Sequence, residues 1–385
     1  MRDYEMRVLL YLHRRSHYKT VYRRMASASA GTSLTETSRA AYVFGLVGDN
    51  CTPHLQASLL SAIDTLVNAR PLFPIVSMLG PVCAAKGSLR VHLQHLMVRA
   101  VEVAELRDIP CRGSKTQGAR LAPTYTMSAV WSLTMFDVVL LLDSDLAVVR
   151  PMDDVLEFML RNPSYIEART PLKCRTPIST SLGDDALFNS GVWALRPSRT
   201  VHATFVDWMQ GNRDGSRFPC GIGIQDAANA FFVRTKVGKQ RSRESRILGL
   251  SVANNLKVDT RTRRCLKTQN ISDSQVRVVH WSGPRKPQRI RANDLDREPR
   301  SVRIGLLTYA SAYCRFLQQL NASIANGTEA CQKSRWKRFA HVAAQSNLSM
   351  WASKLSLDVM HPIHRCANAG ARFAACLRVP AMSAE

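Results

Sequence analysis

Val138-Val139-Leu140-Leu141-Leu142 runs directly into Asp143-Ser144-Asp145. A run of apolar residues this long drives a strand into the core. The two acids then fall at its carboxyl end, where open α/β sheets bind ligands. Two carboxylates side by side repel unless a cation sits between them. Their hard oxygens suit Mg²⁺ or Mn²⁺, ions that complete their shells with phosphate oxygens. The segment is therefore a constellation for a metal–diphosphate, with a turn or a helix cap as the plain alternative.

The flanking sequence supplies the rest of an α/β alternation. Ala41–Val47, bounded by Gly48-Asp49-Asn50, reads as a buried strand and a turn. Leu55, Leu59, Ile63 and Leu66 predict a helix over Thr52–Val67, with Pro53 suited to its first turn. Phe73–Leu79 reads as a second strand and Val91–Leu106 as a helix. After a Gly/Pro/Arg-rich loop over 105–123, a helix is expected over Met127–Met135 and the central strand over Asp137–Leu142. Further strands are expected at Leu187–Leu195 and Val276–His280, and a helix at Thr200–Met209. Strand–helix alternation of this kind predicts a mixed, mostly parallel sheet flanked by helices. From Ser301 the positions Ile304, Leu307, Ala310, Tyr313, Phe316, Leu317 and Leu320 follow helical spacing. The expected organisation is a basic, Ser/Ala-rich arm or targeting segment over 1–40, a catalytic domain over 41–300 and a helical extension over 301–385.

Composition narrows the partners. The chain of 385 residues carries 53 basic against 29 acidic side chains, a formal charge of +24, with 41 Arg to 12 Lys. Such a charge favours acidic partners: nucleic acid, anionic lipid, or a phosphorylated substrate. The first basic run region is not interleaved with base-stacking aromatics in any known RNA-binding pattern, so nucleic acid is not the expected ligand. No run of about 18 apolar residues occurs, so no transmembrane helix is expected. The ten cysteines form no Cys-x-x-Cys pair, which removes support for a zinc ribbon or a thioredoxin-like motif. Cys314 with Cys331, or Cys366 with Cys376, are candidates for pairing. Sequons at Asn270, Asn321, Asn326 and Asn347 hint at a secretory lumen. The compartment stays open between cytoplasm and Golgi lumen.

A distant segment adds to the acids. Val278-Val279-His280-Trp281-Ser282-Gly283-Pro284-Arg285-Lys286-Pro287 again sets a ligand at the end of an apolar strand. An imidazole completes a Mn²⁺ shell more readily than a Mg²⁺ shell. Gly283 allows close backbone approach to a phosphate, and Lys286 neutralises it as a point charge. Between the two lie Phe188-Asn189-Ser190-Gly191-Val192 and Gln225-Asp226-Ala227-Ala228-Asn229. In this order, with Trp131-Ser132-Leu133-x-x-Phe136-Asp137 before the central strand and Arg150–Leu156 after it, the motifs resemble glycosyltransferase family 8. That family includes glycogenin, galactinol synthase and bacterial lipopolysaccharide galactosyltransferases. The resemblance spans Ala41 to Pro287.

The resemblance implies a GT-A type nucleotide-diphospho-sugar transferase fold and retaining transfer of a hexose from a UDP-sugar. Asp143, Asp145 and His280 would bind Mn²⁺ (or Mg²⁺). Ser144, Gly283 and Lys286 would lie along the diphosphate, Asn189 would contact the sugar, and Gln225 and Asp226 would lie near the anomeric carbon and acceptor. The chain departs from the family pattern at Ile224, in place of an acid, at Met127, in place of a lysine, and at Thr52-Pro53, in place of a uracil-stacking tyrosine. Phe231–Val279 holds no tyrosine, so self-glucosylation in the manner of glycogenin is not expected. The acceptor would be a separate glycan, lipid-linked sugar, protein or polyol, and a homodimer stays open. The competing expectation is a degenerate transferase scaffold that binds polyanions through its basic surface.

Overall fold

The computed structural model describes residues 38–48, 51–106, 109–110, 122–171, 187–212, 217–218, 223–234, 246–258, 262–281 and 298–321. Among these, seven strands form the main sheet. β1 (Ala40–Leu46) lies between β2 (Ile75–Leu79) and β4 (Val138–Leu142), parallel to both. β3 (Arg99–Glu102) extends the parallel run beyond β2. On the other side β7 (Phe188–Leu195) runs antiparallel to β4, β6 (Tyr165–Pro171) antiparallel to β7, and β8 (Arg246–Gly249) parallel to β6. The order is β3-β2-β1-β4-β7-β6-β8. Three short strands, β5 (Leu146–Val148), β9 (Leu256–Lys257) and β10 (Val278–His280), form a second sheet with β10 in the middle. The fold is the expected mixed, mostly parallel α/β class.

The reason β4 lacks an alternating pattern is that it has no solvent face. Val138, Leu140 and Leu142 enter one hydrophobic core, while Val139 and Leu141 enter another. Successive side chains of a strand point to opposite faces, so a strand covered on both must be apolar throughout. Trp131, Trp193, Phe205 and Phe232 dominate the second core, with the Trp131 and Trp193 rings edge to face at 4.7 Å. That core explains Met127, which is buried and packs over Gly45 of β1, where a Cβ would collide with its sulfur.

α1 (Pro53–Ala69) covers the first core. Thr52 caps it by accepting from the Leu55 amide, Pro53 opens its first turn, and Arg70 ends it in a left-handed conformation. Two shorter helices follow, α2 (Pro81–Ala84) and α3 (Gly87–His95). Here the structure corrects the expected helix over Val91–Leu106. α3 stops at His95, Met97 takes a φ of 57°, and the β-branched segment around Val101 pairs with β2 as an edge strand. Tertiary pairing overrides a helical pattern at this edge. Ala122–Ser132 forms a 3₁₀ helix rather than an α-helix over Met127–Met135. α4 (Asp153–Arg161) opens on two acids, α5 (Arg199–Gln210) is capped by Ser198, and α6 (Ile224–Asn229) and α7 (Thr262–Thr268) follow.

α8 (Arg300–Asn321) belongs to the same core as α1, β5 and β10. Its buried face runs through Val302, Leu306, Tyr309, Tyr313, Phe316 and Leu320, whereas Ile304 and Leu307 are half-buried. The expected stripe was thus rotated in its first turns, because α8 is pressed against α1 on one side and β5–β10 on the other. Cys51 and Cys83 form a disulfide beyond the ends of β1 and β2, with Cα atoms 5.2 Å apart. The sequence did not point to this pair. Among the pairs it did propose, the Cys314 side chain and Cys331, Cys366 and Cys376 lie outside the described residues. Among the described residues, no helix is long and apolar enough to cross a membrane.

One ion pair joins α1 to α8: Arg315 Nη2 stands 2.7 Å from the Asp64 carboxylate, which also accepts from Asn68 at 3.0 Å. Burial pushes the Asp64 carboxyl above the usual range, while the Arg315 guanidinium and the Asn68 amide pull it back. A folded pKa above the unfolded one means that the native state holds more protons between the two values. Ionising Asp64 therefore costs stability as pH rises from the ordinary carboxylate pKa through the raised one. Arg315→Met removes the main compensation. It should destabilise the chain by about 1–2 kcal/mol at pH 7, a figure discounted because the guanidinium is partly solvated. Thermal melts of both proteins should show that deficit shrinking as pH falls through the raised Asp64 pKa. A deficit that does not vary with pH would assign Arg315 a packing role only.

Candidate functional site

Leu142 ends β4, and the Asp143-Ser144-Asp145 turn carries the chain into β5. Hydrogen bonds at three of its backbone groups pin this turn. Asp143 N–H donates to Gly191 C=O at 3.0 Å, and the Asp145 C=O accepts from Trp281 N–H at 3.0 Å. The Ser144 C=O lies 3.1 Å from both Ser58 Oγ and Tyr309 Oη, and these hydroxyls stand 2.6 Å apart, so that one can donate to the carbonyl while the other donates to its neighbour. Burial pushes the Tyr309 phenol far up, so it stays protonated and remains a donor. The turn is thus clamped by β7, by the residue after β10, by α1 and by α8.

Antiparallel pairing of β10 with β5 sets His280 opposite Leu146, one residue beyond Asp145. His280 is buried, and its Nε2 lies 3.5 Å from Asp143 Oδ2 and 3.3 Å from Asp145 Oδ1. These three ligand atoms all fall within 4.8 Å of one another. On its other side, His280 Nδ1 stands 2.9 Å from Asn255 Oδ1. Asn255 Nδ2 reaches Asn189 Oδ1 and Thr170 Oγ1, both at 2.9 Å, and Asn189 Oδ1 also accepts from Gly191 N–H at 2.9 Å. Gly191 is required by the ring itself: a Cβ there would overlap His280 Cε1 and stand 2.6 Å from Nδ1.

The expected site residues separate into three groups. Asp143, Asp145 and His280 converge as a candidate cation site, and Ser144 lies between the acids with its carbonyl held by hydrogen bonds. Two carboxylate oxygens and an imidazole nitrogen match a divalent ion that accepts oxygen and nitrogen, such as Mn²⁺. Asn189 joins this centre through Asn255. Gln225 and Asp226 lie on α6, which is lashed to β7: Gln225 Oε1 accepts from Ser190 N–H at 3.2 Å, and Asn229 exchanges hydrogen bonds with Phe188 N and O at 2.8 and 2.9 Å. Burial, and after it the charge of Asp226, push the Tyr125 phenol above its ordinary pKa. Ile224 is buried in the second core, and Thr52 serves as a helix cap. Gly283 and Lys286 lie outside the described residues. Asn255, Thr170, Ser58 and Tyr309 were missed: none sits in a run of ligands, and only three-dimensional pairing places them.

Gly191→Ala should push the imidazole off its position without touching an acid. Mn²⁺ affinity, read by electron paramagnetic resonance of the free ion, should fall at least about tenfold, the usual effect of disturbing a ligand's support. Unchanged affinity in a folded variant would show that His280 is not a ligand.

No protein-family model matches the chain, and no curated protein matches it. Solved structures do. The glycosyltransferase GlyE of Streptococcus pneumoniae TIGR4 is similar over 74% of this chain and 64% of its own, at 17% identity and a TM-score of 0.47. The galactosyltransferase LgtC, solved with donor and acceptor sugar analogs, is similar over 71% of this chain and 95% of its own, at 14% identity and a TM-score of 0.46. Mouse xyloside xylosyltransferase 1 is similar over 64% of this chain and 98% of its own, at 14% identity and a TM-score of 0.42. The chain thus spans slightly less than two thirds of GlyE.

Proposed function

We propose that the chain is a metal-dependent glycosyltransferase of GT-A type, resembling family 8, which moves a hexose from a UDP-sugar to a separate hydroxyl acceptor with retention. The observation that carries this reading is the convergence of Asp143, Asp145 and His280 at the carboxyl end of the central strand. Two partly exposed carboxylates and a buried imidazole nitrogen thus offer three ligand atoms to one divalent cation, which would relieve the repulsion between the acids. At this sheet edge the natural companion of a hard divalent cation is a diphosphate.

In this reading Asp143, Asp145 and His280 hold Mn²⁺, which when bound neutralises the charge that develops on the departing UDP. The clamp on Ser144 keeps both acids in place before the donor arrives, so little reorganisation is left for the reaction. Asn189 presents its side-chain amide to the hexose. Gln225 and Asp226, held against β7, stand near the anomeric carbon and the acceptor. Lys286 and the Gly283 backbone hold the diphosphate. The acceptor hydroxyl forms its bond to the anomeric carbon on the face from which the diphosphate leaves. Its proton passes to a leaving-group oxygen, so no separate nucleophile is needed.

The test is a screen of UDP-hexoses for UDP release with Mn²⁺, with and without sugar, polyol and peptide acceptors. Release should require the metal. Asp143→Asn and Asp145→Asn should each lower it by at least about a hundredfold, some 2.7 kcal/mol of lost transition-state stabilisation, while melting temperature stays level or rises as repulsion between the acids is relieved. Equal release by both variants would remove the metal assignment. Salt-sensitive binding of acidic polymers with no turnover would favour the degenerate-scaffold reading.

A further inference from the structure

We propose that Asn255 is a positioning residue for the cation site. It fixes the tautomer of His280 and joins that ligand to Asn189, so that one amide governs both cation affinity and sugar contact. The inference rests on the reading of Asp143, Asp145 and His280 as a metal site and of Asn189 as the contact to the donor sugar.

The argument starts from a group whose polarity cannot be reversed. Gly191 N–H is a donor, and it lies 2.9 Å from Asn189 Oδ1. That end of the Asn189 amide is therefore its oxygen. The Asn255 atom 2.9 Å from the same oxygen must be a donor, which makes it Nδ2. The second hydrogen of Nδ2 goes to Thr170 Oγ1. With both its hydrogens used, Asn255 turns its oxygen to His280 Nδ1 at 2.9 Å. An amide oxygen only accepts, so Nδ1 carries the proton. In the neutral ring the lone pair then sits on Nε2, 3.5 Å from Asp143 Oδ2 and 3.3 Å from Asp145 Oδ1.

Each link is buried: Asn189, Thr170, Asn255 and His280 are at most 9% exposed. Water therefore offers little substitute for a lost partner. Without Asn255, the ring is free to carry its proton on Nε2 instead. It then donates to the acids and closes the site with its own hydrogen, in competition with a metal ion. With Asn255 in place that tautomer would set two oxygen–nitrogen lone pairs against each other at 2.9 Å. Asn255 thus keeps the imidazole as a ligand. The same network fixes Asn189: its oxygen is taken by Gly191 and Asn255, which leaves its Nδ2 to donate to a ligand. Among the described residues, no protein acceptor takes that hydrogen.

The test is Mn²⁺ titration of the full chain, with the free ion read by electron paramagnetic resonance, followed by calorimetric titration of UDP and a UDP-hexose. Asn255→Ala should lower Mn²⁺ affinity by about ten- to a hundredfold. Asn255→Asp keeps an oxygen for the His280 Nδ1 proton but sets a second oxygen against Asn189 Oδ1. It should hold Mn²⁺ at least as tightly as the wild type, yet lose the preference for the UDP-hexose over UDP. Circular dichroism melts establish that each variant folds. A folded Asn255→Ala with wild-type Mn²⁺ affinity overturns the proposal. If that variant does not fold, Asn255→Asp decides, and a loss of Mn²⁺ affinity there overturns it. Asp143→Asn separates the two claims. Loss of the ion in Asp143→Asn with retention in Asn255→Ala sinks the positioning role alone, whereas no Mn²⁺ binding by the wild type sinks the metal reading beneath it.

Discussion

The convergence of Asp143, Asp145 and His280 at the end of β4 is the constraint around which the rest of the structure is arranged. Left alone, each of these groups would turn towards water or towards a donor. Here each is held against that tendency by something behind it. β4 is driven into the sheet by apolar residues on both faces, so its end cannot retreat. The turn after it is tied at Asp143 N, Ser144 O and Asp145 O to four different parts of the chain. His280 is backed by Asn255 and boxed by Gly191. The three ligand atoms are thereby held in one place, all within 4.8 Å of one another.

The supports come from distant stretches of sequence. Ser58 lies on the helix after β1, Tyr309 on the helix near the end of the described chain, and Asn255 just before β9. α8 is consequently more than a cover for the first core. Its Tyr309 reaches through that core to the carbonyl between the two acids, so packing of α8 against α1 and the geometry of the acids are one problem. The Asp64–Arg315 pair lies on the same helix–helix seam. This coupling of packing to site geometry shows why a ligand constellation at a strand end needs a complete domain behind it.

What was legible in the sequence was what the physics makes local. Val138–Leu142 announced a doubly covered strand because five apolar residues in a row admit few other placements. Asp143 and Asp145 stood out as a candidate cation site because charge repulsion acts between near neighbours. His280 was legible only through its place at the end of another apolar strand. Asn255 and Thr170 carried no local signal, since an asparagine before a two-residue strand or a threonine late in β6 looks like any polar residue. The disulfide between Cys51 and Cys83 was hidden for a related reason: it depends on β1 and β2 lying side by side in parallel. Val91–Leu106 misled because its apolar spacing fits a helix, while the vacant edge of β2 favours a strand. Gly191 was quoted as part of a motif, but the close approach of the imidazole that demands it emerges only once β10 is paired with β5.

The central claim is that these groups hold a divalent ion, and the most direct measurement is a crystal structure with Mn²⁺ and UDP that records anomalous scattering at the manganese edge. The account predicts one strong anomalous peak within about 2.3 Å of His280 Nε2 and of an oxygen from each of Asp143 and Asp145, with His280 Nδ1 still directed at Asn255. A structure in which the peak is absent, or lies elsewhere while His280 Nε2 donates a hydrogen bond to the two acids, would contradict it.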